Sequence, residues 1–590
     1  MAERGIDWRS FVRTPWAVLA VWLIYALVRL AIQPLVGWEP VGPDDWTRLL
    51  QVRAWLDGQA FWDVTQYRMD PPQGFSMHWS RLVDMPLAAL TLLFGEMAAM
   101  ALVPLLWLLP ALFALRSIML RLDFAPLAFA FGLVLLPLFP MLPGVFAPMR
   151  IDHHSAQGVM ALACAAFLLK DSRWSALACG LFAAMWVVIS LEGLPLVAVI
   201  AGLYGLRYWW GERTLLPWFL GALAASAAAL NYATRGPLEP LYCDVLLPGH
   251  TLTFAAAALM AALIPFLPWQ DRAHGRVVAL GLMGAVCLLL ARGLLGPCAT
   301  NPMAELDPVL QTWWHSAIGE GLPIWRQPPS VALTLVWAIM VIAAGWWRAH
   351  AGGLFHRGRA LPFTLLFLYA LAAGGYSLLV LREGVIAQLL AIPFGALLLA
   401  EYLPRARALT SAAPRIAATL AAIGLSTPLF ASVLASPLDD YVPRKATSPD
   451  IAGMVETGEC DYTRLAALPP GLVVMPLDAG PLVLGTSGHA IVAASYHRNQ
   501  RAIADVLLAF TGSPESARAM ISRYGAGYVA ICAAAGDVAL YRTASPENFA
   551  NALLSDSPPE WLTLDEKASS GALRVYRVAI RPAGSPSPRR

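Results

Sequence analysis

The chain has 590 residues, of which 58% are hydrophobic and only 13% are charged. Soluble globular domains carry about 25% charged residues, so this composition excludes a soluble protein and indicates a membrane protein. The formal net charge of +3 is small, and we expect it to reflect membrane topology and not nucleic-acid binding.

About thirteen apolar runs, most of them long enough to cross roughly 30 Å of hydrocarbon as helices, lie between residues 14 and 434. The first run is too long for a signal-peptide core and lacks a convincing cleavage site, so we expect it to be retained as a helix. The sequence therefore predicts a transmembrane domain in residues 1–434. The runs are 14–38, 95–119, 124–145, 156–169, 174–192, 194–210, 214–233, 251–268, 277–295, 330–347, 362–381, 384–402 and 414–434.

Alternate connections between these runs are rich in arginine and lysine, which mark the cytoplasmic side of membrane proteins. With a cytoplasmic N-terminus, an odd number of spans places everything after residue 434 on the opposite side, which in a bacterium is the periplasm. We therefore expect a multi-pass protein in the lipid bilayer of the bacterial inner membrane. The basic connections are Arg116 with Arg121, Lys170 with Arg173, Arg207 with Arg213, Arg272 with Arg276, Arg348 with Arg359, and Arg405 with Arg407.

Residues 435–590 have the composition of a soluble domain. The segments LPPGLVVMPLD, HAIVAASYH, GYVAICAA and ALRVYRVAI predict buried strands, and SPESARAMISRYG predicts a helix with a capping serine and a terminal glycine. The expected fold class is a polytopic α-helical membrane protein with a small C-terminal α/β domain in the periplasm. The tail at 581–590, RPAGSPSPRR, is predicted to be disordered.

Four of the seven cysteines lie on the predicted periplasmic side. Cys243 and Cys298 fall in two different external loops, and Cys460 and Cys532 flank the core of the C-terminal domain. Because an oxidising compartment permits disulfide bonds, we predict the pairs Cys243–Cys298 and Cys460–Cys532. The sequence has no CxxC spacing, which argues against structural zinc.

Three predicted external loops, at about 38–90, 146–155 and 296–329, carry polar segments that begin helices: GPDDW, MRIDHHS and SAIGE. Carboxylates and imidazoles at a membrane surface are costly to desolvate, and they persist most readily when paired or metal-bound. Each segment also has an ordinary explanation, as a helix cap, a loop cap or a solvated glutamate. The occurrence of all three on one side favours a functional site.

The pattern of these residues resembles that of the catalytic subunit of oligosaccharyltransferase and its relatives in the GT-C glycosyltransferase superfamily. In that family a first-loop aspartate is followed by an aromatic residue and then by an arginine nine residues after the aspartate, which Asp44, Trp46 and Arg53 match. The second loop of the family carries an acidic pair whose second member is histidine in archaeal relatives. Asp152 and His154 match that pair.

Two more positions carry the resemblance. The segment SAIGE, with Glu320, is loosely similar to a later Ser/Thr-Ile-x-Glu motif, and Arg382 is placed like the arginine that contacts the lipid phosphate in the family. The family's WWDYG-type motif, which reads an asparagine sequon, is absent from this sequence, since every WW pair precedes residue 434. Glycosylation of asparagine sequons is therefore not expected.

The resemblance implies transfer of a sugar or oligosaccharide from a polyprenyl phosphate or pyrophosphate to a periplasmic acceptor of unknown kind. Four residues would hold Mn²⁺ or Mg²⁺, which suit oxygen and imidazole ligands. We expect three of them, Asp44, Asp152 and His154, to converge on one cavity, and Glu320 is the fourth. Arg382 or Arg150 would contact the donor phosphate; these positions follow from the resemblance.

Other candidates are less determined by the sequence. Either Asp44 or Asp45 would orient or deprotonate the acceptor, and His153 would contact substrate. Two roles are equally consistent with the sequence for His497 and Arg498: they contact the membrane site, or they form a solvated strand end. The loop tryptophans are expected to pack at the membrane interface more than to stack on sugars; they are Trp46, Trp55, Trp62, Trp79, Trp313 and Trp314. Trp46 and Arg53 are also candidates for substrate contact.

Two functions compete with this interpretation. A transporter or flippase for a lipid-linked glycan should carry ionisable residues at mid-membrane, which the runs mostly lack; the chief exception, Glu192, is expected at an external helix end. A non-catalytic scaffold of envelope polysaccharide assembly would leave the three loops apart in space. If the protein is instead the expected enzyme, Asp152→Ala should abolish transfer at little cost in stability, because the loop is expected to be wet.

Overall fold

The computed structural model describes residues 7–236, 242–299, 303, 306–353, 355, 359–441 and 460–579. Residues 581–590, for which the sequence predicts disorder, lie outside the described residues. The chain divides into two compact units. The helical unit comprises Met1–Val36, Trp79–Ala304 and Glu320–Pro443, and the α/β unit comprises Gly37–His78, Glu305–Gly319 and Arg444–Arg590.

Nineteen α-helices precede residue 441 in the described part of the chain, and all except α3 and α14 belong to the helical unit. In chain order they are α1 (Trp8–Phe11), α2 (Pro15–Val36), α3 (Pro43–Leu56), α4 (Arg81–Phe94), α5 (Glu96–Arg121), α6 (Pro126–Val134), α7 (Leu142–Val145), α8 (His154–Leu168), α9 (Arg173–Ile189), α10 (Leu194–Trp209), α11 (Leu215–Arg235), α12 (Pro248–Leu263), α13 (Ala273–Leu295), α14 (Pro308–Trp313), α15 (Pro329–Ala351), α16 (Ala360–Ser377), α17 (Gly384–Arg407), α18 (Ala412–Ser426) and α19 (Leu429–Ala435).

The helical unit confirms a polytopic α-helical membrane protein. Among the described residues, nine helices are long and apolar enough to cross a membrane, and α18 with α19 makes a tenth if this pair, bent by 101°, is one span. The remaining predicted runs correspond to the shorter apolar helices α8 and α9 and to the run at 124–145. That run is divided into α6, a 3-10 turn and α7 because its prolines cannot continue a helix.

The basic connections that the sequence assigned to one side meet at one end of the helical unit. Asp171 forms ion pairs with Arg121 and Arg207, and Asp123 forms an ion pair with Arg359. These residues follow or precede five different helices. The basic connections, which alternate with uncharged ones along the sequence, therefore lie together at one end of the folded bundle.

The opposite end of the bundle is defined by how α8 packs on α17. A Cβ added at Gly158, in the second turn of α8, would lie 2.7 Å from Cδ1 of Leu389 and 3.9 Å from Cγ1 of Val385. Both partners belong to the first two turns of α17. The two helices therefore begin at the same end, which brings the segments before residues 154 and 384 to that end.

The α/β unit contains a mixed five-stranded sheet of order β4-β3-β5-β7-β6, in which β3 pairs in parallel with β4 and β5 while β7 pairs antiparallel with β5 and β6. A hairpin of β1 and β2 lies apart from this sheet. The strands are β1 (Thr65–Gln66), β2 (Phe75–Ser76), β3 (Leu472–Val474), β4 (Ala490–Ile491), β5 (Tyr528–Cys532), β6 (Leu562–Leu564) and β7 (Leu573–Val578), and the helices are α20 (Gly480–Thr486), α21 (Gln500–Thr511), α22 (Pro514–Tyr524), α23 (Gly536–Tyr541) and α24 (Phe549–Leu554).

The α/β unit agrees with the elements that the sequence predicts after residue 435. The four predicted strand segments contain β3, β4, β5 and β7. The predicted helix is α22, where the Ser513 side chain accepts a hydrogen bond from the Ser516 amide and Gly525 ends the helix in the left-handed region at φ +68°. The unit also includes α3, β1, β2 and α14, which come from the first and third predicted loops.

Both expected disulfide bonds are present. The Cα atoms of Cys243 and Cys298 lie 4.9 Å apart in the helical unit. The Cα atoms of Cys460 and Cys532 lie 5.8 Å apart in the α/β unit, where Cys532 ends β5. Cys164 and Cys179 are free and buried between α8 and α9, as small core residues.

Candidate functional site

Asp152 lies in the turn that precedes α8. Its Oδ1 accepts a hydrogen bond of 3.0 Å from the backbone amide of His154, and its Oδ2 lies 2.9 Å from Nε of Arg150. The residue is only 1% exposed. The expectation of a wet loop is therefore wrong: the carboxylate is buried because its charge is met by a guanidinium and by a helix-start amide.

Aromatic rings surround this turn. The His153 ring centroid lies 4.6 Å from that of His154 and 5.9 Å from that of Trp79. His153 and Trp79 are both buried. The side chains of Asp152 and His153 are therefore packed inside the helical unit. Trp79 is buried beside them in the core and does not face a membrane interface.

Arg382 forms a second charged cluster at the same end of the helical unit, one turn before α17. It makes an ion pair with Glu192 and a weaker one with Glu320, whose Oε1 lies 3.5 Å from Nη1. Glu192 itself lies in the 3-10 turn that precedes α10. Its expected place at a helix end is confirmed, but the sequence did not predict that it would pair with Arg382.

Glu383 adds an unusual buried carboxyl group to this cluster. The side chain is 2% exposed, and its Oε2 has no hydrogen-bond partner among the described residues. Tyr376, at the end of α16, reaches the Glu192 carbonyl oxygen at 3.5 Å. Glu383 could not be recognised from the sequence, because a glutamate at a helix start is usually solvated.

The expected metal ligands fall into both units, since Asp44 belongs to the α/β unit while Asp152, His154 and Glu320 belong to the helical unit. Oxygen and imidazole donors suit Mn²⁺ or Mg²⁺. In the described part of the chain, however, no three His, Cys, Asp or Glu residues are placed to hold a metal ion. Asp152 and Glu320 each face an arginine instead. Convergence of Asp44, Asp152 and His154 on one cavity stays a prediction.

The α/β unit distinguishes Asp44 from Asp45. Asp45 is fully buried, and its Oδ2 accepts a hydrogen bond of 2.9 Å from the Gly42 amide, so it caps the start of α3. Asp44 instead lies with its Oδ1 3.1 Å from the hydroxyl of Tyr496. Asp45 therefore has the structural role that the sequence allowed for either aspartate, and Asp44 is the better candidate for contact with an acceptor.

Tyr496 is a site residue that the sequence analysis missed. Its hydroxyl lies 2.7 Å from Oγ1 of Thr47 and 3.1 Å from the Pro43 carbonyl oxygen, as well as contacting Asp44. Burial, followed by the negative charge of Asp44, raises the pKa of Tyr496 well above its usual value. The phenol stays protonated and is available as a donor to the Asp44 carboxylate. The only sequence signal is its place just before His497.

His497 and Arg498 pack inside the α/β unit instead of forming a solvated strand end. The His497 ring centroid lies 5.4 Å from that of His78 and 6.3 Å from that of Trp314. Arg498 donates from Nη1 to the Met77 carbonyl oxygen over 3.3 Å. Residues from the first and third predicted loops thus surround the segment after Tyr496. Contact of His497 or Arg498 with a substrate stays a prediction.

Trp46 and Arg53 dock α3 on α20. Arg53 donates from Nη1 to the Gly485 carbonyl oxygen over 2.8 Å, and a Cβ added at Gly485 would lie 2.3 Å from the Trp46 ring. Trp46 is buried in the α/β unit, so the prediction that it packs at the membrane interface is wrong. The spacing of Asp44, Trp46 and Arg53 therefore has a structural explanation in helix packing.

The two units define a class of protein, a polytopic α-helical membrane protein with a separate α/β unit. No protein-family model and no curated protein matches the chain. Solved structures do match. The archaeal oligosaccharyltransferase AglB from Archaeoglobus fulgidus, solved with an inhibitory peptide and a dolichol-phosphate, is 15% identical with a TM-score of 0.62. The match covers 91% of this chain and 71% of AglB.

Two other structures of the Archaeoglobus fulgidus oligosaccharyltransferase agree. One, tethered to an acceptor peptide, is 15% identical with a TM-score of 0.62, covering 88% of this chain and 69% of that one. The other, a complex with zinc and sulfate, is 15% identical with a TM-score of 0.57, covering 87% and 68%. At this identity the likeness shows the fold, and the GT-C resemblance is confirmed at that level.

Proposed function

We propose that this protein is a membrane glycosyltransferase that transfers a sugar or oligosaccharide from a polyprenyl phosphate or pyrophosphate donor to a periplasmic acceptor. The observation that supports this best is the pair of arginine–carboxylate clusters, around Arg150 and Arg382, at one end of a helical unit with the GT-C fold. AglB, which has a similar fold, was solved with a dolichol-phosphate, and this supports a lipid phosphate as the donor.

In this proposal Arg382 binds the donor phosphate. A guanidinium forms two parallel hydrogen bonds to phosphate oxygens, and its charge offsets the charge that develops on the departing phosphate. Glu192 would hold the guanidinium in place. Glu320, whose side chain is 44% exposed and whose Oε1 lies 3.5 Å from Nη1 of Arg382, would move away when the phosphate binds. Arg150, paired with the buried Asp152, is the second candidate for phosphate contact.

Asp44 would orient or deprotonate the acceptor. Its carboxylate is positioned by Tyr496, and His497 lies next to that tyrosine beside His78 and Trp314. We include His497 and Arg498 among the residues that would contact substrate, together with His153 of the helical unit. The acceptor is a protein, glycan or lipid of the periplasm.

We also propose that transfer depends on Mn²⁺ or Mg²⁺, held by Asp44, Asp152, His154 and Glu320. The metal would supply charge stabilisation for the departing phosphate. The relative solved with zinc and sulfate supports this proposal only by analogy of fold. Removal of divalent ions with EDTA, followed by separate addition of Mn²⁺ and Mg²⁺, tests it: unchanged transfer in EDTA contradicts a metal requirement.

The protein would work in the bacterial inner membrane with a cytoplasmic N-terminus and the α/β unit in the periplasm, without nucleic acid. Cysteine labelling tests this orientation. Asp556→Cys, on the exposed surface of the α/β unit, should react with a membrane-impermeant maleimide in intact spheroplasts. Arg173→Cys, exposed at the basic end of the helical unit, should react only after permeabilisation. The reverse result contradicts the orientation.

The decisive experiment is a donor screen in single turnover. Purified protein in lipid nanodiscs is mixed with fluorescent polyprenyl-linked sugars, and release of the polyprenyl phosphate is followed. We expect the wild type to cleave at least one donor, with water taking the sugar because no acceptor is added. Cleavage should be lost with Asp152→Asn and unchanged with the surface control Asp556→Asn. Asparagine is preferred to alanine because Asp152 is buried against Arg150, and a cavity beside an unpaired charge costs about 1–3 kcal/mol.

Equal rates for wild type and Asp152→Asn would contradict the proposed site. If the labelled lipid crosses proteoliposome membranes without cleavage, the protein is a transporter of lipid-linked glycans. If it binds donors but neither cleaves nor moves them, the scaffold alternative is supported.

A further inference from the structure

A polar groove of about 650 Å³ opens entirely within the α/β unit, beside the C-terminal half of α3. Its walls come from α3 with the following turn, from β1 and the residues after it, and from the end of α20. The volume falls within the range of about 300–1,000 Å³ that small-molecule sites occupy. None of the expected site residues except Arg53 contributes to it.

The two arginines of the groove are engaged with a helix end. Arg68 donates from Nη2 to the Leu484 carbonyl oxygen over 2.6 Å and from Nη1 to that of Ser487 over 2.8 Å, while Arg53 donates to Gly485. These carbonyls belong to the C-terminus of α20, whose dipole end is partially negative. The guanidinium charges are therefore largely offset, and the groove also contains the carboxylate of Asp57.

The remaining side chains present polar groups and one aromatic ring in fixed positions. Gln59 donates from Nε2 to the carbonyl oxygens of Asp63 and Thr65, over 3.1 and 2.8 Å. Tyr67 donates from its hydroxyl to Oδ2 of Asp63 over 2.9 Å, while its side chain remains 56% exposed. An exposed aromatic ring that is held by a hydrogen bond offers a rigid apolar face at low entropic cost.

From this combination we infer that the groove binds a short neutral saccharide. Sugar rings carry C–H faces that pack on an aromatic ring and hydroxyl groups that need both donors and acceptors. Tyr67 supplies the ring, and Asp57, Arg68 and the hydroxyl side chains at 486–487 supply acceptors and donors. An anionic ligand is disfavoured because Arg53 and Arg68 already donate hydrogen bonds to the carbonyl oxygens at the end of α20.

The groove lies away from Asp44 along α3. The nine residues from Asp44 to Arg53 correspond to about 13 Å at roughly 1.5 Å per residue. Saccharide binding there requires no turnover, so it stands or falls independently of the proposed transferase activity.

The experiment is equilibrium binding to the full-length protein in nanodiscs, followed by saturation-transfer NMR and competition. The probes are maltotriose and chitotriose as neutral trisaccharides and trigalacturonate as an anionic one. We expect at least one neutral trisaccharide to bind with a Kd below about 10 mM. Tyr67→Ala and Asp57→Ala should each weaken that binding about tenfold, which corresponds to about 1.4 kcal/mol. The surface control Asp556→Ala should leave it unchanged.

Both test residues are exposed, so their substitution should leave the protein folded. Binding of trigalacturonate alone overturns the inference in favour of an anionic ligand. Failure of all three sugars to bind, or equal binding by wild type, Tyr67→Ala and Asp57→Ala, overturns the groove as a saccharide site.

Discussion

The hydroxyl of Tyr496 lies 3.1 Å from Oδ1 of Asp44, although 452 residues separate the two along the chain. The contact joins a residue of the first predicted loop to a residue that follows the second strand of the α/β sheet. Because the phenol is buried and stays protonated, it donates to the carboxylate. This relationship makes Asp44, and not Asp45, the aspartate that we propose for contact with the acceptor.

The first prediction separates these two aspartates. Asp44→Ala should abolish transfer and cost less stability than Asp45→Ala, because Asp44 is only half-buried whereas Asp45 is fully buried. Asp45→Ala should lower the free energy of unfolding by about 1 kcal/mol through loss of the hydrogen bond from the Gly42 amide. Thermal unfolding and single-turnover transfer, normalised to folded protein, measure both effects. Loss of activity with Asp45→Ala and retention with Asp44→Ala would reverse the assignment.

The second prediction treats Tyr496 as a positioning residue. Tyr496→Phe should lower the single-turnover rate about tenfold and shift the acidic limb of its pH profile upward, because the carboxylate loses a donor that favours its charged form. Tyr524→Phe is the matched control, since Tyr524 donates to Asp505 over 2.8 Å in the same unit. A pH profile that is unchanged in Tyr496→Phe leaves this residue with a packing role only.

The third prediction concerns the lipid phosphate. Arg382→Ala should weaken binding of a polyprenyl phosphate at least about tenfold, because a charge-assisted bidentate contact is lost. Ligand-induced thermal stabilisation measures the affinity. Arg405→Ala is the control, since Arg405 pairs with Glu401 near the end of α17, opposite its start. Equal affinity for the two variants argues that Arg382 has no contact with the phosphate.

The fourth prediction is a pH dependence of stability in the α/β unit. Burial and the neighbouring Asp478 carboxylate raise the pKa of Asp537 to about 7. An unfolded aspartate has a pKa of about 4, so between these values the unfolded chain loses the proton first. Stability should therefore fall as the pH rises from about 4 to about 7 and stay level above that range.

Thermal unfolding of the full-length protein, compared with Asp537→Asn, isolates this contribution. The variant should melt a few degrees above the wild type at pH 8, because its amide never carries the buried charge. The two proteins should melt nearly alike at about pH 3, where the carboxyl group is largely protonated in both the folded and unfolded chains. A difference that is the same at both pH values would contradict the assignment.

Much of the fold follows from the sequence alone because hydrophobic length and periodicity act locally. The apolar runs predict the helices, since a span must satisfy its own backbone hydrogen bonds. The motif SPESARAMISRYG likewise predicts α22 together with its capping serine and its terminal glycine. The conformations of these two residues depend on neighbouring residues only. The cysteine positions indicate both disulfide bonds once the sides of the membrane are assigned.

The sequence also predicted Asp44, Asp152 and Arg382 as site residues through their resemblance to a family pattern. What it left undecided were their partners. The buried state of Asp152, the pairing of Arg382 with Glu192, and the contact of Tyr496 with Asp44 all join residues that are distant in the chain or depend on burial. Only the tertiary structure decides these, because a side chain's charge partner and its solvation are properties of packing and are not encoded in any local segment.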